Sequence, residues 1–104
     1  SMVKTAKRLP RNWVGETPVL KVTYNKESKQ NLLTWFYPQR TSYRMAIYRA
    51  EAKKGYQLVG FADASKAQFV DKPLQPDKYK YVLKVVFSDG QESPFSVPVE
   101  VKML

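Results

Sequence analysis

The chain is 104 residues long, room for one domain around one core, and 43% of it is hydrophobic and 13% aromatic, well above what disordered chains carry. It has neither cysteine nor histidine, which removes Cys/His zinc sites, thiol nucleophiles, imidazole acid–base catalysis and any disulfide-stapled scaffold together. A net charge of +9 raises nucleic acid, acidic glycans and anionic membranes as partners, but Lys4, Lys7, Arg8 and Arg11 crowd the start, and among the remaining cations only Lys53 and Lys54 are adjacent.

No apolar run approaches the ~18 residues of a spanning helix, and the cationic start lacks the apolar stretch of a secretory signal. Ser1-Met2 resembles a cloning remnant, so the chain reads as an excised domain. Residues 1–17 are then that remnant plus a basic leader, bracketed by Pro10 and Pro18 and carrying Trp13, and residues 18–104 are the folded part.

From Pro18 onward, short alternating segments follow one another, separated by turn residues. Leu20, Val22 and Tyr24 alternate with Lys21 and Thr23 as a half-buried first strand, and Asn25 to Lys29 is a polar turn. Leu32 to Tyr37 is a second strand, stopped by Pro38, which cannot donate to a ladder; Gln39 to Ser42 connects onward. Tyr43 to Arg49 is a third, with Tyr43, Met45 and Ile47 on one face. Ala50 to Lys54 is too short for an independent helix and reads as a hairpin loop closing at Gly55. Tyr56 to Phe61 and Gln68 to Val70 are the fourth and fifth strands, and Asp71 is expected to cap the turn through Lys72 and Pro73.

Tyr79, Tyr81, Leu83, Val85 and Phe87 occupy alternate positions of the strongest strand. Ser88-Asp89-Gly90-Gln91 is a tight hairpin turn, because Asp-Gly takes the positive φ such turns need. Phe95, Val97, Val99 and Val101 are expected to form the last strand, with Pro94 and Pro98 marking it as a sheet edge. The pattern predicts an all-β, immunoglobulin-like sandwich of about seven antiparallel strands in two sheets. Its expected core is Leu33, Trp35, Tyr43, Ile47, Tyr79, Tyr81, Leu83 and Val85.

The order of these features resembles the fibronectin type III family, in the variety found in bacterial multidomain proteins. Leu33-Thr34-Trp35 with Pro38 looks like the second-strand motif, and Ile47-Tyr48-Arg49 like the third. Tyr56-Gln57-Leu58-Val59-Gly60, Phe69-Val70-Asp71, Leu74-Gln75-Pro76 and Asp89-Gly90-Gln91-Glu92-Ser93 follow in family order, so the resemblance covers residues 18–102. One departure is that Lys80 stands where the family's corner tyrosine usually falls, which transfers that role to Tyr79. The resemblance implies fibronectin type III topology and a non-catalytic accessory, spacer or protein-interaction module. Its parent would be a secreted, periplasmic or cell-surface bacterial protein, with carbohydrate-processing proteins among the expected parents. No enzyme activity, cofactor or metal is expected. The partners would be adjoining domains of the same polypeptide or another protein, and the isolated domain would be a monomer.

Two outward surfaces are candidates for contact. If Tyr43, Met45 and Ile47 point inward, then Arg44, Ala46 and Tyr48 point outward, and beside them stand Lys80, Val82, Lys84 and Val86. Arg44, Tyr48, Lys80, Val82, Lys84 and Val86 therefore form either a candidate docking face or a solvated ladder whose Lys and Arg stems cover the aliphatic groups. The same cations are the basis of an alternative role, binding a polyanion such as a sulfated glycan or nucleic acid. On the other sheet Leu32 and Phe36 face outward, with Trp13 a candidate cover. Glu51, Asp63, Asp71 and Asp89 do not cluster as calcium ligands would, and the last hairpin has no Arg-Gly-Asp triplet.

Overall fold

The computed structural model describes residues 17–37, 42–63, 65–73 and 75–103. The leader with Trp13, the expected strand stop at Pro38 and the turn leucine Leu74 lie outside the described residues. Seven strands and no helix occur within them.

Strands β1 (Val19–Asn25) and β2 (Gln30–Phe36) form a hairpin. Its turn is local chemistry: the Asn25 side-chain oxygen accepts from the amides of Glu27 and Ser28 at 3.0 and 3.1 Å, and Lys29 closes it at φ 56°. β3 (Tyr43–Glu51) and β4 (Lys54–Asp63) form a second hairpin. Here the loop expected over Ala50–Lys54 contracts to Ala52 and Lys53, because Glu51 pairs with Lys54 and Ala50 is buried within the sheet. β5 (Gln68–Asp71), β6 (Asp77–Phe87) and β7 (Val99–Met103) complete the chain.

All pairings are antiparallel. One sheet has the order β1-β2-β5 and the other β4-β3-β6-β7. The core lies between them. Leu33, Ile47, Tyr81, Leu83, Val85 and Met45 are essentially inaccessible, Trp35 and Tyr79 are buried, and Tyr43 is half-buried against them, edge-on to Tyr37 at 5.1 Å. Burying each such aliphatic side chain contributes about 1.5–3 kcal/mol. The Tyr79 hydroxyl donates to the Gln75 carbonyl and fastens the entry to β6.

The end of the chain departs from simple alternation. β7 begins only at Val99, so Phe95 and Val97, expected within the last strand, precede it and are exposed. Pro94 and Pro98 have no N–H to give a ladder, and Ser93 and Ser96 do the pairing instead. Their amides donate to the carbonyls of Val85 and Leu83, while their buried hydroxyls accept from the amides of the same two residues at 2.8 and 2.9 Å. The hairpin before this segment turns at Gly90, with φ 94°.

Candidate functional site

The outer face of the four-stranded sheet carries the most chemistry. Cross-strand partners share a face, so Phe61 stands beside Ala46, and Leu58 beside Tyr48. Residues 58 and 61 of a regular strand would point to opposite faces. The register shift between Ile47 and Tyr48 leaves Val59 as a bulge and brings both side chains outward. Tyr56, Leu58 and Phe61 are all exposed as a result. The Arg44 guanidinium lies over the Phe61 ring, 4.4 Å from its centroid, and no carboxylate pairs with Arg44 among the described residues.

Across β6 the Phe95 ring meets Tyr48 edge-on at 5.3 Å, and Lys84 Nζ stands 5.0 and 5.4 Å from the two ring centroids. This aromatic bridge spans β6 and explains a correction. Val82, placed on the outward face by alternation, is buried, because Tyr48 is its ladder partner and Phe95 closes over from the other side. Ala46, also outward by alternation, is buried as well, between Phe61 on β4 and Lys84 on β6. Val86 is half-buried and Lys80 exposed, opposite Glu100.

Lys84 is half-buried and bonds Glu92 at 2.8 Å. Burial alone would lower its pKa, but the Glu92 hydrogen bond and nearby charges outweigh that and raise it, so Lys84 stays cationic. Its charge is largely spent on Glu92. Together Ser42, Arg44, Ala46, Phe61, Lys84 and Val86 line a shallow groove of about 620 Å³. Such a face can take an apolar or aromatic surface with a carboxylate at Arg44.

A second cluster lies between the sheets. Asp71 does not cap a turn: it is buried on β5, accepting from Arg49 Nη1 at 2.9 and 2.8 Å and from the Tyr81 hydroxyl. Asn31 Nδ2 donates to that same hydroxyl at 2.9 Å. Asn31 and Asp71 belong to one sheet and Arg49 and Tyr81 to the other, so the cluster ties the sheets together. Arg49 and Asn31 continue the inward alternation of Ile47 and Leu33, which is the sequence signal that could have placed them.

Burial first, and the hydrogen bond to Asp71 second, push the Tyr81 phenol well above the usual tyrosine range, while the Asn31 donor opposes them. Burial pushes Tyr43 and Tyr79 the same way. The folded state therefore holds these protons after the unfolded chain has released them at about pH 10. Stability from this source is complete below that pH and declines above it. Denaturant midpoints measured from pH 8 upward should fall beyond about pH 10, with a shallower fall in Tyr81→Phe; an equal fall in both would dismiss Tyr81 as a contributor.

Among the described residues no group of three or more potential metal ligands forms. On the other sheet Phe36 is 65% exposed beside its partner Val19, with no described residue covering it.

No protein-family model and no curated protein matches this sequence. Solved structures do. The fold is a fibronectin type III-like sandwich, an immunoglobulin-like arrangement of seven strands in sheets of three and four. An Fn3-like protein from Clostridium thermocellum superposes with a TM-score of 0.68 and 20% identity, over 86% of this chain and 94% of that one. A β-1,2-glucanase from Parabacteroides distasonis gives 0.74 and 22%, over 91% of this chain and 14% of the glucanase. A pectate lyase from Erwinia chrysanthemi, solved with tetragalacturonic acid, gives 0.70 and 20%, over 83% and 28%. The chain thus spans only a small part of the glucanase and about a quarter of the lyase.

Proposed function

We propose that this domain is a non-catalytic accessory module that docks, through the outer face of its four-stranded sheet, against an adjoining domain of a longer secreted or surface bacterial protein that processes carbohydrate. The observation that carries the reading is the gathering of Tyr56, Leu58, Phe61 and Phe95, each between 43% and 50% exposed, around Arg44 and Tyr48 on one face. Exposed aromatics beside an arginine are the composition of interface centres rather than of solvated sheet. The glucanase and pectate lyase, in which this fold is one part of a longer chain, support the parent class.

Hydrogen exchange tests the docking. In the longer polypeptide, amides of residues 44–48, 57–61 and 82–86 should exchange at least about tenfold more slowly than in the domain alone. Equal rates would reject the face. Release of reducing ends from β-1,2-glucan or polygalacturonate by the isolated domain, abolished by one substitution, would reject the non-catalytic role.

The polyanion reading draws on the net charge of +9 and on Arg44, but Lys84 is neutralised by Glu92 and does not add to it. It requires retention on heparin that falls steeply with salt and is lost in Arg44→Ala/Lys80→Ala. Retention that disappears with residues 1–13 belongs to the leader instead.

A further inference from the structure

We infer that the first half of β4 is a pairing edge for a second copy of this chain, two β4 strands joining antiparallel so that two four-stranded sheets become one. β4 terminates its sheet, so among the described residues no strand pairs with its far side. Residues 54 to 58 are exposed on both faces, including Gln57, the ladder partner of inward-pointing Arg49. Farther along, the edge turns toward the other sheet, where Phe69 of β5 lies so close to Gly60 that an added Cβ would meet its ring at 2.8 Å. The open stretch is therefore residues 54–59, ending at the Val59 bulge.

Exposed edges are ordinarily guarded by prolines, charges or shortness. The other edges here have such guards: β5 is four residues long and followed by Pro73, β7 is preceded by Pro98, and β1 is preceded by Pro18 and carries Lys21. β4 has charges only at its two ends, Lys54 and Asp63, and no proline. Tyr56-Gln57-Leu58-Val59-Gly60-Phe61 is uncharged throughout, the composition of a segment that adds strands readily.

The same stretch is complementary to itself, which favours a second copy over a foreign strand. In an antiparallel pairing centred on Gln57, Tyr56 of each molecule faces Leu58 of the other, and Gly55 faces Val59. No like charges meet, and two apolar pairs now exposed are covered. Each molecule carries +9, so the copies repel at long range and added salt should tighten the pair. The pairing shares Tyr56 and Leu58 with the docking face but joins the backbone of residues 54–59 between copies of this chain alone, whereas docking needs the adjoining domain of the longer polypeptide, so either can fail without the other.

Sedimentation equilibrium of the full chain over two decades of concentration, from about 5 μM upward, tests the pairing by mass action. The expected result is a monomer–dimer equilibrium that shifts toward dimer between about 50 and 300 mM salt. Leu58→Lys should weaken it at least about tenfold, and Phe36→Lys, on the opposite sheet, should leave it unchanged. Wild-type amides 54–59 should gain exchange protection as concentration rises, a readout independent of any variant. A single monomer mass throughout, a dimer indifferent to Leu58→Lys, or concentration-dependent protection elsewhere but not at 54–59 would overturn the inference.

Discussion

Asp71→Ala is expected to lower stability by about 3 kcal/mol, the lower end of what breaking a buried ion pair costs. Asp71 is 8% exposed and receives three hydrogen bonds, two from Arg49 Nη1 and one from Tyr81. Truncation leaves the guanidinium with Glu51, 3.9 Å from Nη2, and the Tyr79 ring, 5.5 Å from its centroid, and leaves the Tyr81 hydroxyl without its acceptor. The Arg49 side chain is 20% exposed, so water can reach it in part, which sets the lower end of the range. Asp71→Asn keeps an acceptor for Tyr81 and loses the charge, so it should fall between wild type and alanine. Replacing the ionic partners together, as Arg49→Met with Asp71→Leu, should cost less than the alanine change alone, since no unpaired charge is then buried. Urea midpoints of the four proteins form the comparison. A loss below about 1 kcal/mol for Asp71→Ala, the scale of an exposed ion pair, would mean that the cluster does not hold the sheets together.

Trp35→Ala should be the costliest change in the core, about 3–5 kcal/mol. The indole fills the space behind β2, with Leu20 opposite it on β1 and Leu33 two residues away on the same face. The cost rises with the cavity that remains. Its neighbour is the control. Phe36 is next in sequence but 65% exposed on the opposite face of the strand, so Phe36→Ala should change stability by no more than about 0.5 kcal/mol. The denaturant slope should stay constant in both, with only the midpoint moving in Trp35→Ala. Similar losses for the two would contradict the assigned sidedness of β2.

The difference between these adjacent residues was legible in the sequence, because a strand's period of two sorts side chains without reference to anything distant. The same rule located the inward stripe from Tyr79 to Phe87, and the positive φ that Asp-Gly takes located the turn at Asp89-Gly90. Alternation put Val82 and Ala46 on the outer face but could not show that side chains from other segments cover them there, and it ran the last strand back to Phe95 and Val97 although two prolines had removed the ladder there. Asp71 was read as a turn residue because its partners lie 10 and 22 positions away.

What the sequence by itself determined is the class of fold and the sidedness of most strands. These follow from alternation, turn chemistry and the volume of buried apolar groups, all of them local or additive. Tertiary structure decided where charge and aromatic surface are usable. The Val59 bulge turned Leu58 and Phe61 onto one face, Glu92 neutralised Lys84, and Arg49 found Asp71 across the sandwich. Each of those depends on which distant side chain arrives within a few ångströms, and Coulombic and ring contacts change too steeply with distance to be read along a chain.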